Sequence, residues 1–193
     1  MPTRLFLDTE FTGLYQSAQL ISIALVSERG PAFYAEFIDF DPNQLSAWHQ
    51  QHVLPNLMLD TSDPVPFLRD TQTIRGDAAT VQFALTNWLA GCGSVEVWAD
   101  VLAWDWILFC ELFGGSLGLP ANVFYIPFDL GTLFYLTGNP DCSREKFAFI
   151  DAEAQHLAEA AWGRADSPKH NALWDAQVSR RCFARLKGLI SGL

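Results

Sequence analysis

Two runs of β-branched and aromatic residues near the start of the chain, Gln19–Ser27 (QLISIALVS) and Pro31–Phe40 (PAFYAEFIDF), are separated only by Glu28-Arg29-Gly30. A connection that short forces the two strands to pair antiparallel, because a parallel pair needs a crossover of a dozen residues or more. Thr3–Leu7 is also apolar and strand-like, so the first forty residues read as a three-stranded meander. Asp41-Pro42-Asn43 then opens a helix that runs to about Gln51. Val53–Arg69 carries Pro55, Pro64 and Pro66 and reads as loop. Arg75–Leu89 has apolar residues at helical spacing and stops at Gly91. Val95–Ala99 is a fourth strand, and Val101–Phe113 is a helix apolar nearly all round. Val123–Pro127 is a candidate fifth strand, Phe128–Leu136 is helical, Arg144–Trp162 is a weaker helix, and Asn171–Ile190 is the last. Three antiparallel strands followed by alternating helices and strands give an α/β protein with a mixed central sheet.

A chain of 193 residues, half of them apolar, suits one domain spanning 1–193 with a core of its own. The first residues lack the apolar run of a signal peptide, and charged residues or glycine break every apolar stretch before it reaches membrane-spanning length. The four cysteines, at 92, 110, 142 and 182, never form a CxxC pair. A zinc ribbon is therefore not indicated, and free thiols in a soluble cytoplasmic protein are the simplest expectation. The formal charge is −10, which argues against a long basic groove for duplex nucleic acid. The charge is uneven: residues 164–193 hold six bases and two acids, while the rest holds six bases and twenty acids. The basic tail reads either as a solvated helix face or as a footprint for a short polyanion.

Three clusters carry chemistry. Asp8-Thr9-Glu10 directly follows the first strand, and side chains at i and i+2 share one face. Two carboxylates that close repel unless a cation lies between them, and a hard divalent ion suits oxygen ligands. The following Thr12 and Gly13 can offer backbone N–H groups to a sugar or phosphate. Second, Asp105 stands among large apolar residues of the Val101–Phe113 helix. An unpaired buried carboxylate is costly, so it calls for a cation. Asp100 competes with it, but Asp100 sits where an N-cap belongs, whereas Asp105 falls beyond the first turn of that helix. Third, His170 lies in a loop before Asn171, a helix N-cap, and Asp175 follows on the first turns. Histidine titrates near neutrality and suits proton abstraction from water.

Taken in order, D-x-E at the first strand, Asp105 midway along and H-x4-D at the last helix resemble the DEDD-type 3′–5′ exonuclease superfamily, in its histidine branch. His170-Asn-Ala-Leu-Trp-Asp175-Ala176 looks like that branch's third motif, and Asp8-Thr-Glu10-Phe-Thr-Gly13-Leu14 like its first. The sequence is most similar to the bacterial RNase AS-like exoribonucleases, which act on adenylated RNA. The likeness runs through Leu20-Ile-Ser-Ile23, Phe40-Asp41-Pro42, Trp48, His52-Val53-Leu54-Pro55, Trp98-Ala99 and Asp105, over about residues 4–182. It is weakest over 114–165. One departure is that Val101-Leu102-Ala103-Trp104 precedes Asp105, where many members of the superfamily place an Asn.

The resemblance implies an RNase H-like fold with helices on both faces of the sheet. It implies that Asp8, Glu10, Asp105 and Asp175 hold two Mg²⁺ or Mn²⁺ ions and that His170 is the general base. The substrate would be single-stranded RNA or another nucleic-acid 3′ end, with nucleoside 5′-monophosphates as products. Phe11, Leu14 and Trp104 become candidate stacking surfaces, although core packing is the commoner fate of any one aromatic. Thr12–Gly13 or Glu10 would read a 2′-OH, and Arg180, with Arg181 and Arg185, would steer a backbone. A homodimer is compatible with this family. The rival readings are an exonuclease for DNA 3′ ends and a non-catalytic nucleic-acid-binding module on the same fold.

Overall fold

The sheet is built outward from one strand. Thr3–Phe11 (β1) alternates two sets of buried side chains, so both of its faces are covered. Leu5 and Leu7 face one core and Phe6 faces another. Each of these fully buried side chains contributes roughly 1.5–3 kcal/mol. Leu20–Ser27 (β2) and Ala32–Phe37 (β3) continue the meander, both pairs antiparallel. The structure, a computed structural model, describes residues 1–59, 70–149 and 168–190, together with 153, 155–157 and 159.

Short helix Ala47–His52 (α1) follows β3, then strand Thr71–Gly76 (β4), helix Ala78–Ala90 (α2), strand Val95–Ala99 (β5) and helix Ala103–Leu112 (α3). Strand Phe128–Asp129 (β6), helices Leu130–Leu136 (α4) and Arg144–Ala148 (α5), and the long Ala172–Leu189 (α6) complete the described elements. The strand order is β4-β3-β2-β1-β5-β6, with β3–β4, β1–β5 and β5–β6 parallel. Val81, Leu85, Leu89 and Phe109, from α2 and α3, pack on one face of the sheet. Leu130, Phe134, Trp174 and Phe183, from α4 and α6, pack on the other. This is a mixed α/β sandwich compatible with an RNase H-like fold, as expected. Among the described residues no helix is long and apolar enough to cross a membrane.

Several boundaries differ from the sequence reading. The helix expected over 41–51 is two pieces, because Leu45 is extended and breaks it. A 3-10 turn covers Pro42–Gln44, and α1 restarts behind Ser46, whose hydroxyl and N–H engage His49 in a capping box. Residues 71–76 are a strand, not loop and helix start; α2 begins only after Asp77, which caps it by accepting the Thr80 N–H. Val123 makes only a single bridge to Val95, and the sixth strand lies at 128–129, where a helix was expected. Asp100 caps nothing: α3 starts from Leu102, and the Asp100 carboxylate takes two hydrogen bonds from Arg144 (2.7 and 3.2 Å). Asp105 consequently lies in the first turn of α3 rather than beyond it. The helix expected over 144–162 is found at Arg144–Ala148; its residues 150–152, 154, 158 and 160–162, like Pro64 and Pro66, lie outside the described residues.

Candidate active site

Alternation along β1 points Asp8 and Glu10 to the α6 side of the sheet and Thr9 to the α3 side. The β1–β5 pairing ends at Phe6 and Trp98. Beyond that point β1 has a free edge, and α3 lays Asp105 against it. The Thr9 N–H and hydroxyl both donate to Asp105 Oδ1, at 2.9 and 2.6 Å. These two bonds aim one Asp105 oxygen at β1. A register shift between Glu10 and Phe11 then bends the strand away.

Helix α6 brings the remaining carboxylate. Asn171, wholly buried, caps it by accepting the N–H groups of Leu173 and Trp174. Asp175 lies in the first turn and accepts the His170 N–H at 2.9 Å. His170 has a positive φ of 66°, a conformation that a residue with a Cβ adopts only when its surroundings hold it there. Ligand atoms of Glu10, His170 and Asp175 lie within 4.8 Å of one another. Trp48 of α1 sets its ring edge-on to His170, centroids 4.9 Å apart.

The four carboxylates divide two hollows. One, of about 520 Å³, lies between Phe11, Gly13 and Leu14 on one side and Trp48, His49 and His170 on the other. The second, of about 380 Å³, shares Asp8, His170 and Asp175 and adds Asp100, Arg144 and Lys169. Burial and mutual repulsion push all four carboxyls above the usual carboxylate range. Glu10 rises to about 8 through burial and then Asp175 and Asp105. Asp175 rises to about 7 through burial, opposed by the His170 N–H. Asp105 rises to about 6 through burial, opposed by its Thr9 bonds. Asp8 is raised by burial and by Asp175, Asp105 and Glu10. Burial and the neighbouring Lys169 lower His170 below the ordinary histidine value. The cluster therefore holds more negative charge than it can keep ionised alone, and its all-oxygen donor set fits hard divalent cations.

Asp8, Glu10, Asp105, Asp175 and His170 thus meet around one cavity, joined by Phe11, Gly13 and Leu14. Thr12 is turned inward: its N–H donates to the Gln19 carbonyl, and its hydroxyl donates to Gln44 while accepting the Gln19 N–H. Its backbone N–H is therefore not available to a ligand. Trp104 stacks on Phe11 at 6.4 Å but lines neither hollow, and Arg180 borders neither. Arg181 pairs with Glu153 and covers the Phe149 ring, and Arg185 covers Phe147. Much of the basic tail is therefore spent on holding α6 to the segment before it. Trp48 entered the sequence reading only as part of the family likeness and His49 not at all as a site residue, yet both line the cavity. His49 hydrogen-bonds the Phe11 carbonyl at 3.2 Å, a contact across 38 residues that no local pattern announces.

No model of a known protein family matches the chain. Two 3′–5′ exoribonucleases of Mycobacterium tuberculosis, from strains H37Rv and CDC 1551, are each 38% identical to it over 120 residues. The match covers 62% of this chain and 67% of each relative. Fold and site define a mixed α/β protein with a cluster of buried carboxylates at a cavity. The chain belongs to the 3′–5′ exoribonuclease family that these mycobacterial proteins represent.

Proposed function

We propose that residues 1–193 form one catalytic domain of the histidine-branch DEDD type. It hydrolyses single-stranded RNA, adenylated ends included, from the 3′ end to nucleoside 5′-monophosphates. One observation carries this reading: four mutually repelling carboxylates from β1, α3 and α6 gather with His170 at a cavity, in a protein related to exoribonucleases. Asp8, Glu10, Asp105 and Asp175 would hold two Mg²⁺ or Mn²⁺ ions. Held there, such ions would lower the pKa of water and would offset charge developing at the phosphate.

The protein's own residues do the rest. His170, neutral because its pKa is depressed, accepts the proton of the attacking water. Asp175 fixes the His170 backbone, and Thr9 fixes Asp105. Leu14 and Trp48, both exposed at the cavity, offer apolar surface to the terminal bases, and the backbone at Gly13 or the Glu10 carboxylate reads the 2′-OH.

The test is a gel with 5′-labelled single-stranded RNA, the matching DNA and an adenylated RNA, in Mg²⁺, Mn²⁺ or EDTA. A cation-dependent ladder that shortens from the 3′ end, stronger on RNA, is expected. His170→Ala lowers kcat by about 10²–10⁴. Because His170 lies close enough to Glu10 and Asp175 to act as a ligand, Mn²⁺ affinity is measured alongside; it stays within a few-fold of wild type if His170 is the base. Trimming of DNA alone, or no product from folded protein with cation present, would overturn the exoribonuclease reading.

A further inference from the structure

A series of buried polar groups runs behind the site and ends on the His170 loop. Glu36 of β3 accepts the Tyr34 hydroxyl at 2.7 Å and the N–H groups of Met58 and Leu59 at 2.5 and 3.0 Å. The Tyr34 oxygen accepts Asn171 Nδ2 at 3.2 Å, and the same Nδ2 donates to the Asn56 carbonyl at 2.7 Å. Asn56 then turns its own amide outward. Its Nδ2 donates to the Lys169 carbonyl at 2.7 Å and to the His52 carbonyl at 2.8 Å.

This amide bridges two pieces of the site far apart in sequence. Lys169 immediately precedes His170, and His52 ends the helix that carries Trp48. Three successive residues of the loop are therefore pinned: Lys169 by Asn56, His170 by Asp175, and Asn171 by Tyr34 and Asn56. Among the described residues nothing hydrogen-bonds either ring nitrogen of His170, so backbone anchors and the edge-on rings of Trp48 and His52 set where the imidazole points. Asn56 lines neither hollow, and no role in binding cation or RNA accounts for it.

We infer that Asn56 is a positioning residue that holds His170 in the orientation from which it takes the proton. This rests on the reading of His170 as the base. The juxtaposition of the Asn56 amide with the carbonyl before His170 and the carbonyl that ends α1 is what does it. A displacement of the order of 1 Å at a reacting group can cost about 10²-fold.

The experiment is a double-mutant cycle on single-turnover RNA cleavage, with KM and Mn²⁺ affinity read in parallel. Asn56→Ala lowers kcat about 10- to 100-fold, with KM and Mn²⁺ affinity within about 3-fold of wild type. In the His170→Ala background the same change costs less than about 2-fold, because there is no imidazole left to aim. Asn56→Leu keeps the volume and loses the donor, and it repeats the result if the alanine variant is poorly folded. An equal loss in both backgrounds, an unchanged kcat, or failure of both variants to fold would overturn the positioning role. If His170→Ala alone leaves kcat unchanged, the base reading has failed and takes this inference with it. If His170→Ala is slow and Asn56 effects simply multiply, only this inference fails.

Discussion

Glu10 and Glu36 stand in one row of the sheet, each directly across from Ser22 on the strand between them. Both are buried, at 8% and 1% exposure, on the face that α6 covers. One oxygen of Glu36, Oε1, accepts a tyrosine hydroxyl and two backbone N–H groups, while Oε2 is answered by the Arg75 charge at 4.0 Å rather than by a hydrogen bond. Among the described residues no hydrogen-bond donor meets Glu10; its neighbours are Asp175 and Asp105, which repel it. Two carboxylates on the same face, one strand apart on either side of β2 and so roughly 10 Å from each other, are thus handled in opposite ways. A buried carboxylate supplied with donors is part of the scaffold. One set among other carboxylates has a charge that the protein itself leaves unbalanced, and that imbalance is what a cation would correct.

The sharpest way to break this comparison is to neutralise each partner. Glu10→Gln lowers RNA cleavage by about 10²–10³-fold. It also raises the melting temperature of the cation-free protein at pH 8, because a repelling charge has gone. Glu36→Gln does the reverse: it destabilises the fold by about 1–3 kcal/mol in denaturant titrations, while the affinity for Mn²⁺ stays unchanged. If Glu36→Gln weakened Mn²⁺ binding as much as Glu10→Gln, the distinction would collapse.

The pH dependence follows from the same contrast. In the fold, Glu10 keeps its proton to about 8 against an ordinary 4.5. Asp175 and Asp105 keep theirs to about 7 and about 6 against 3.8. The unfolded state releases these protons first. Between about pH 4 and 8 the folded state binds more protons, so stability of the cation-free protein falls as pH rises through that window and levels off above it. Thermal melts at pH 5, 6, 7 and 8 with EDTA follow that decline, and saturating Mn²⁺ flattens it. The smallest effect is expected at Arg180, which borders neither hollow: Arg180→Ala changes kcat/KM for RNA by less than about 3-fold. A larger loss would place the RNA backbone along α6.

How much of this was legible in the sequence depends on whether the signal is local. The meander, β5 and the cap at Asn171 carry their own periodicity and turn residues; β5 and the cap are found where expected, whereas β1 runs past Leu7 through Asp8 and Glu10 to Phe11 and β3 stops at Phe37, short of Phe40. β4 was missed because its side chains are largely exposed and polar; only its parallel ladder to β3 defines it. β6 is two residues long and was absorbed into the helix behind it. At the site, Asp8 and Glu10 sharing a face follows from strand geometry alone. What Asp100 and Asp105 each do is settled by partners 44 and 96 residues away, Arg144 and Thr9. Trp48, His49 and Asn56 reach the cavity or its rear wall through a short helix and a 3-10 turn, whose composition resembles any surface connection.

The carboxylates are spread from residue 8 to residue 175, and the helix that supplies the last of them packs across both β1 and β2. During translation the first pair is therefore made well before the partner at residue 175. A ribosome-bound nascent polypeptide short of residue 175 has neither the fourth carboxylate nor the anchor of the His170 backbone. Docking of α6 on β1 and β2 is therefore also the step that brings Asp175 and His170 to Asp8 and Glu10.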